Sequence, residues 1–277
     1  MIWCDGIFLE ERDFCVSPFD RSLCHGLSLF ETILAVKGKP RMLRPHLDRL
    51  RLGLERFGIT GVELSDSGLE SAMVSLLEKN GLMEGMARIR FAVGFGAGPI
   101  NRIDSGEAWA WMTAVRVEET PKSIRMTSAP WRQNRESVTR GLKVGNYAEH
   151  LIAMDMARRE GFDEMLFYNT ANELCETAMA NVFLIRGGSL LTPALDSGCL
   201  NGVTRRLVIE IAAERGIPCR QKPMGKGDVK KADGVFLTSS VRGPAWVSEF
   251  EGRSYEVHPL FTAIQEIWME RMSGDSQ

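Results

Sequence analysis

The stretch RGLKVGNYAEHL (140–151) places one lysine, Lys143, just ahead of the first turn of a predicted helix. An unprotonated lysine amine can attack a carbonyl carbon or move a proton, so this position could carry chemistry. Taken alone, a lysine on a loop is typical of a protein surface. A chemical role therefore needs support from other residues.

Three further positions could bind charged groups. Gly202-Val203-Thr204 begins a predicted helix, whose first turn leaves free N–H groups and a positive dipole end that suit a phosphate. Glu176 lies at a predicted strand end, and Arg49 lies on the predicted helix that contains HLDRL (46–50). Each also has an ordinary explanation: a good helix start, a solvated edge carboxylate and an arginine extending into solvent. None of them indicates a function singly.

The glycines of GFGAG (94–98) have the spacing that begins a dinucleotide-binding fingerprint. Pro99, Ile100 and Asn101 follow where a helix should open, and the pattern predicts no strand–helix–strand unit around the motif. We interpret this stretch as a tight hairpin instead.

Composition limits the class of protein. The chain has 277 residues, 44% hydrophobic and 25% charged, with a formal net charge of −2, which favours a globular protein without a global field for nucleic acid or anionic lipid. No window approaches the roughly 20 apolar residues of a membrane span, and the acidic start does not resemble a secretion signal. The six cysteines and four histidines are scattered, so we expect neither disulfides nor a metal site. We predict a cytoplasmic protein.

Hydrophobic periodicity predicts strands and amphipathic helices in the first half of the chain. In chain order these are strands at 30–36 and 41–43 around the turn Lys37-Gly38-Lys39-Pro40, helices at 44–58 and 69–81, and strands at 87–96 and 108–117. The polar stretch VEETPKS (117–123) contains a proline and has no periodicity, so we predict a linker there.

The second half is predicted to be richer in strands. Its elements are a strand at 124–129, a helix at 147–161, two short strands within 164–176, a hairpin at 181–193 with Gly187-Gly188 at its tip, a helix at 203–216, a strand at 234–238 and a terminal helix after Pro259.

Together these motifs resemble those of the class IV aminotransferases, the fold-type IV enzymes that use pyridoxal 5'-phosphate (PLP). The similar stretches are DRSLCHGLSLFET (20–32), HLDRL (46–50), LKVGNYAEHLIA (142–153), CETAMANVFLI (175–185), DSGCLNGVTR (196–205) and VFLTSSVRG (235–243). The most specific part is Glu176, followed five residues later by Asn181 and an apolar strand, and then the Gly-Val-Thr-Arg helix start. A non-catalytic binding protein on the same scaffold is a remote alternative, and it would be expected to lack the lysine or the glutamate.

The resemblance implies an α+β, two-domain fold of type IV, similar to D-amino-acid aminotransferases. We expect a small N-terminal α/β domain (1–117), a linker (118–123) and a larger, β-rich C-terminal domain with surrounding helices that binds PLP (124–277). In this family the active site lies between the domains and borrows residues from a partner subunit, which implies a homodimer.

The resemblance also implies a role for each site residue. Lys143 would carry PLP as a Schiff base and then act as general base and acid at the substrate Cα. Glu176 would pair with the pyridine nitrogen and keep it protonated, so that the ring accepts electrons. The implied phosphate donors are Arg49, Val203, Thr204, Ser239 and Ser240.

The reaction within the family is indicated less sharply. Phe30-Glu31-Thr32 stands where branched-chain enzymes usually have Phe-Glu-Gly, and LKVGNY has one residue fewer between the lysine and the next helix, which leaves a cofactor role for Tyr147 open. Both features count against the branched-chain enzymes. The triplet Phe30-Glu31-Thr32 and the stretch SGCLNGVTR (197–205) look more like the 4-amino-4-deoxychorismate lyases, in which a hydroxyl at Thr32 could help proton transfer during loss of pyruvate. A threonine on a strand is also an ordinary packing residue.

Substrate binding requires a donor for a carboxylate, and Arg90 in RIRFAV and Arg242 in SSVRG are the candidates. Arg90 could equally be an outward-facing strand residue, so we favour Arg242, which follows Ser239 and Ser240. We favour an aminotransferase that moves an amino group between an amino acid and a 2-oxo acid, because that activity dominates the family. The alternative is an aminodeoxychorismate lyase, which breaks a bond after the same proton abstraction.

Overall fold

The computed structural model describes residues 1–62, 65–103, 106–118 and 123–274. Its contacts divide the chain into two compact units: Met1–Glu118 with Leu142–Tyr147, and Glu119–Gly141 with Ala148–Gln277. Most of the predicted linker lies outside the described residues, so the domain boundaries stay a prediction. The segment around Lys143, which the sequence placed in the C-terminal domain, groups with the first unit.

The described residues of the first unit form six strands and three α-helices. They are β1 (Ile2–Cys4), β2 (Ile7–Leu9), α1 (Arg21–His25), β3 (Ser28–Val36), β4 (Lys39–Pro40), α2 (Leu43–Phe57), α3 (Asp66–Lys79), β5 (Met86–Gly94) and β6 (Trp109–Arg116). The strands form one antiparallel sheet in the order β2-β1-β6-β5-β3-β4.

The helices α2 and α3 cover one face of this sheet. Leu47, Leu50 and Leu54 recur at helical spacing on α2 and join a buried cluster with Leu29 and Ile33 of β3. Side chains alternate along a strand, so residues two positions apart point to the same face. Glu31, which is two residues from both Leu29 and Ile33, therefore points to the face that the helices cover.

Two predictions about the first unit are wrong in detail. The second strand of the early hairpin is Lys39–Pro40 rather than 41–43, because Met42 adopts a left-handed conformation (φ 52°) and α2 begins at Leu43. The strands β5 and β6 do pair, but residues 95–108 join them, so GFGAG is not a tight hairpin.

The buried guanidinium of Arg21 explains the shape of this long connection. It donates hydrogen bonds to the carbonyl oxygens of Phe95 at 2.6 Å and Gly96 at 3.0 Å, and to that of Arg102. These bonds hold the loop to α1, and nothing in the local GFGAG pattern indicates them.

The part of the second unit that the structure describes forms nine strands and four α-helices. They are β7 (Ile124–Gln133), α4 (Ala148–Arg159), β8 (Glu164–Asn169), β9 (Leu174–Thr177), β10 (Asn181–Arg186), β11 (Ser189–Thr192), α5 (Val203–Glu214), β12 (Cys219–Gln221), α6 (Lys226–Lys230), β13 (Gly234–Ser239), β14 (Gly243–Phe250), β15 (Arg253–Ser254) and α7 (Pro259–Ser273). The sheet order is β12-β11-β10-β13-β14-β7-β8-β9, and β15 pairs with β14.

The strands and helices predicted for the second half are present. Gly187 and Gly188 form the tip of the β10–β11 hairpin, and both have positive φ angles that favour glycine. The strand predicted at 124–129 extends further, to Gln133. Every residue of β8 is buried, which places a carboxylate, Glu164, inside the unit.

Candidate active site

The segment that contains Lys143 is fixed by backbone pairing along β3. The carbonyl oxygen of Lys143 accepts the N–H of Phe30 at 3.0 Å, and the N–H of Gly145 donates to the carbonyl of Ser28 at 2.7 Å. A Cβ at Gly145 would overlap the Ser28 hydroxyl, so glycine is needed for this close approach. The pairing places the lysine at an edge of the first unit's sheet.

The side chain of Lys143 lies against aromatic rings. Its Nζ is 4.4 Å from the centre of the Phe30 ring and 5.4 Å from that of Tyr147, and the two rings meet edge to face. The guanidinium of Arg90 lies 3.8 Å from the centre of the same Phe30 ring. The structure thus brings two predicted site residues, Lys143 and Arg90, to one ring, where cation–π attraction favours both charges.

Arg90 lies in the middle of β5, and its neighbours across the sheet are Thr32 on β3 and Thr113 on β6. Directly opposed residues in an antiparallel sheet share a face, so Thr32 lies beside Arg90. Burial and the charge of Arg88 lower the pKa of Arg90. Within the described parts of the chain, the guanidinium of Arg90 forms neither a hydrogen bond nor an ion pair, and its half-buried charge suits an anionic ligand.

Arg49 is held by a carboxylate that the sequence analysis did not single out. Its Nε and Nη2 donate to the two oxygens of Glu31 at 2.7 and 2.6 Å, and Nδ1 of His46 lies 2.6 Å from Glu31 Oε2. Glu31 lies on β3 and both partners lie on α2, with all three largely buried. The orientation of Arg49 is therefore set within the first unit.

Electrostatics keep Glu31 ionised in this cluster. Burial by itself would raise the pKa of Glu31, but the charge of Arg49 and the hydrogen bonds from His46 and Arg49 lower it to about 2. Burial lowers the pKa of His46, and the charges of Arg49 and Lys143 act in the same direction against the attraction of Glu31. A neutral His46 then donates from Nδ1 to an ionised Glu31.

A sequence signal for this cluster did exist. Glu31 falls on the same alternating positions as Leu29 and Ile33, so a buried charge was predictable there. His46 and Arg49 are three residues apart, which puts them on one face of a helix. The sequence did not show that this face of α2 packs against β3.

In the second unit, Glu176 lies on β9 and is linked to the start of α5. Its Oε2 accepts the N–H of Leu200 at 3.0 Å, and the side-chain amide of Asn181 donates to the carbonyl of Leu200 at 2.8 Å. A Cβ at Gly202 would overlap Asn181 Oδ1, so this glycine permits the close approach. Asn181, which the motif contained but to which no role was given, connects these elements.

The start of α5 fits the phosphate of PLP. Gly202 at the N-cap has no side chain that could cap the first-turn N–H groups, and the first turn contains no acidic residue. Val203 and Thr204 follow and are buried. Free N–H groups, a positive dipole end and a hydroxyl are the donors that a phosphate ester needs.

The remaining phosphate candidates lie at the end of another strand. Ser239 is the last residue of β13 and Ser240 follows it in the turn before β14, and both are partly buried. Their hydroxyls are hydrogen-bond donors of the type that binds phosphate. Their assignment to the cofactor stays a prediction.

Arg242 differs from Arg90 because it has an acidic partner. Its Nη1 lies 3.2 Å from Oε1 of the fully buried Glu164. Burial raises the pKa of Glu164 to about 7, against the opposing effect of Arg242. Of the two arginines predicted to bind substrate, Arg90 is therefore the better placed for a ligand carboxylate.

Two other kinds of functional feature are absent from the described residues. No described helix combines the length and apolar character needed to cross a membrane. The described parts of the chain also contain no group of three or more histidine, cysteine, aspartate or glutamate side chains arranged to hold a metal ion.

Comparison with known proteins identifies the family. The model of the amino-transferase class IV family matches residues 28–250. The chain belongs to the class IV aminotransferases. Enzymes of this family use PLP, so the chain is a class IV PLP enzyme, an aminotransferase or an aminodeoxychorismate lyase.

Individual relatives represent both activities. The aminodeoxychorismate lyase of Bacillus subtilis is 27% identical over 280 residues, which cover 100% of this chain and 90% of the relative. The crystal structure of the branched-chain aminotransferase of Thermoproteus uzoniensis with norvaline is 26% identical, with a TM-score of 0.92 and coverage of 100% and 95%. A second solved branched-chain aminotransferase, with pyridoxamine 5'-phosphate, is 25% identical, with a TM-score of 0.89 and coverage of 99% and 94%.

These comparisons confirm the predicted family, the α+β fold of type IV with two curled sheets, and the cofactor class. They leave the reaction open between the two activities, since this class IV enzyme is about equally similar to lyases and transaminases.

Proposed function

We propose that this class IV enzyme moves an amino group between an amino acid and a 2-oxo acid. The supporting observation is the position of Arg90, which lies with Lys143 against the Phe30 ring and has no ion pair within the described residues. Amino acids and 2-oxo acids share a carboxylate next to the reacting carbon, and a half-buried guanidinium beside the amine suits it.

The cofactor and the protein have separate tasks in this proposal. PLP, when bound, supplies an electron sink for charge that develops at the substrate Cα. Glu176 would hold the ring nitrogen in its protonated form, and its own orientation is fixed by the Leu200 N–H. The phosphate would be held by the donors Arg49, Val203, Thr204, Ser239 and Ser240.

Lys143 would hold the cofactor and, once released by the incoming amine, move the proton at the substrate Cα. Its Nζ lies against Phe30 and Tyr147, and these rings limit the water around the amine. A positioned base of this kind contributes about 10²–10⁴-fold to the rate of proton transfer. Arg90 would orient the carboxylate so that the Cα proton faces the amine.

The test is the Lys143→Ala variant. We expect loss of the visible absorption band of the purified enzyme, loss of cofactor labelling on borohydride reduction, and at least about 10³-fold slower amino transfer. The control is Lys222→Ala. Lys222 is exposed, and within the described residues only its backbone N–H forms a hydrogen bond. This variant should keep the absorption band, the cofactor labelling and the rate of amino transfer. Full turnover by Lys143→Ala would refute the mechanism.

The second candidate is aminodeoxychorismate lyase activity. Thr32 lies directly opposite Arg90 on the face that carries Phe30, where its hydroxyl could pass a proton, and the Bacillus subtilis relative is a lyase. Release of pyruvate and 4-aminobenzoate from aminodeoxychorismate without an added oxo acid would favour the lyase. Turnover that requires 2-oxoglutarate would favour the transaminase, and Thr32→Val should slow the lyase reaction selectively.

We further propose that the enzyme is a cytoplasmic homodimer. Phe19, Leu23 and Ile100 of the first unit are 79%, 65% and 79% exposed, and exposed large apolar side chains support association with a second copy. Sedimentation of the purified enzyme should give twice the mass of one chain. A monomer that is fully active would refute the dimer.

A further inference from the structure

The first turn of α5 contains a buried cation, Arg205. Its side chain is only 2% exposed, and it follows Val203 and Thr204 behind the N-cap Gly202. Side chains of a helix lean towards its N-terminal end, so the guanidinium adds to the positive end of the helix dipole. A cation at this end is unfavourable, because it repels the partial positive charge of the free N–H groups. The helix itself therefore does not stabilise the charge of Arg205.

The groups that hold the guanidinium of Arg205 are neutral. Its Nη2 donates to the carbonyl oxygen of Pro193 and to Oε1 of Gln221, each at 2.8 Å. Pro193 follows β11 directly, and Gln221 is the last residue of β12, which pairs with β11. In the part of the chain that the structure describes, Nε of Arg205 is buried and has no hydrogen-bond acceptor. These contacts fix the guanidinium in place but do not neutralise it.

Arg205 also has no acidic partner at contact distance. Among the described residues it forms no ion pair, and Glu176 attracts its charge only without such a contact. Burial lowers the pKa of Arg205, against the opposing effects of Cys199, Cys219 and Glu176. The Glu176 carboxylate accepts the Leu200 N–H and is the group proposed to pair with the cofactor ring. A lone buried cation is costly, so a negative ligand at the start of α5 would relieve it.

We propose that Arg205 is an electrostatic determinant of cofactor affinity, whose buried charge acts through space on the cofactor phosphate without touching it. This inference rests on the proposed function, which places the phosphate at the first turn of α5. A phosphate ester carries about two negative charges at neutral pH. Charges several ångströms apart still interact strongly where little water screens them. Arg205 should therefore strengthen binding of PLP and leave binding of pyridoxal, which lacks the phosphate, unchanged.

The test compares the dissociation constants of PLP and pyridoxal, measured by fluorescence titration of the cofactor-free protein. We expect Arg205→Met, which fills a similar volume without a charge, to lower the preference for PLP over pyridoxal about tenfold. Arg205→Lys keeps the charge and should keep most of the preference. The control is Arg215→Met, which changes the net charge equally at the exposed, opposite end of α5 and should leave the preference unchanged.

A second variant offsets the charge of Arg205 while its side chain stays in place. Gln221→Glu puts a carboxylate where the amide oxygen now accepts from Nη2, and the exposed position of Gln221 tolerates the change. The preference for PLP should then fall about threefold, with pyridoxal affinity unchanged. This measurement does not depend on the folding of Arg205→Met. An unchanged preference in Arg205→Met or Gln221→Glu would overturn the inference, as would equal losses in Arg205→Met and Arg205→Lys.

The same titrations separate failure of this inference from failure of the proposed function. If the wild type transfers amino groups but its preference for PLP does not depend on Arg205, the inference is wrong and the proposed function stands. If the preference depends on the charge of Arg205 but no amino group is transferred, the proposed function is wrong and the electrostatic role stands. Equal binding of PLP and pyridoxal by the wild type would refute the phosphate site at α5 and the inference with it.

Discussion

The carboxylate of Glu31 receives two hydrogen bonds from Arg49, at 2.7 Å from Nε and 2.6 Å from Nη2. A two-point contact fixes the plane of the guanidinium as well as its position. Glu31 belongs to β3 and Arg49 to α2, so the pair ties the helix to the sheet. The side chain proposed to bind the cofactor phosphate is therefore oriented by the fold of the first unit.

Replacing Glu31 should destabilise the protein strongly. Glu31→Gln leaves the buried Arg49 without its counter-charge, and breaking a buried pair in this way costs about 3–5 kcal/mol. Urea unfolding of the cofactor-free protein measures the loss. Asp48→Asn is the control, since Asp48 on the same helix is 55% exposed in its pair with Arg51 and should cost less than about 1 kcal/mol. Equal losses in the two variants would contradict the buried-pair explanation.

The pair of Glu31 and Arg49 also predicts how the free energy of unfolding depends on pH. The pKa of Glu31 is about 2 in the folded protein and 4.5 in its ordinary state, so its contribution is complete above pH 4.5 and is lost as the pH falls towards 2. The free energy of unfolding of the wild type should therefore approach that of Glu31→Gln as the pH is lowered from 5 to about 3. A constant difference across this range would show that folding does not lower the pKa of Glu31.

The contribution of Glu164 to the free energy of unfolding should depend on pH with the opposite sign to that of Glu31. Its folded pKa of about 7 lies above the ordinary 4.5, so its contribution to stability is complete below pH 4.5 and is lost as the pH rises through 7. Between these values the wild type should lose on the order of 3 kcal/mol relative to Glu164→Gln, measured by urea unfolding at each pH. The exposed Glu160→Gln should follow the wild type. A wild-type curve parallel to that of Glu164→Gln would refute the raised pKa.

Replacing Gly202 should disturb the start of α5. In Gly202→Ala, the new Cβ overlaps Asn181 Oδ1, and the strain should destabilise the protein by about 1–3 kcal/mol and weaken PLP binding. Fluorescence titration of the cofactor-free protein with PLP measures the affinity. Gly227→Ala is the matched control, because a Cβ there meets nothing within 4 Å. If Gly202→Ala is destabilised but binds PLP with normal affinity, the start of α5 does not bind the phosphate.

Local patterns were sufficient for most elements of the fold. The helices around Leu47 and Val208 were predictable because their apolar residues recur at helical spacing, and the Gly187-Gly188 turn because glycine accepts positive φ. The long β5–β6 connection was not predictable, because Arg21, more than 70 residues away in sequence, holds it.

The same distinction between local patterns and tertiary contacts applies to the proposed site residues. Lys143, Glu176 and the Gly-Val-Thr start of α5 were proposed as site residues from their order and spacing along the chain, which can be read directly from the sequence. The Glu31 partner of Arg49, the Glu164 partner of Arg242 and the shared ring beneath Lys143 and Arg90 were not. Each of these depends on strand register or on a helix meeting a sheet.

By itself, then, the amino-acid sequence determined the family and the cofactor class and predicted the residues proposed to carry the chemistry, because these follow from motifs that are contiguous in the chain. Only the tertiary structure decided which charges are paired and which are open to a ligand. Charge pairing depends on distances of a few ångströms between residues far apart in sequence, and burial multiplies its energetic effect.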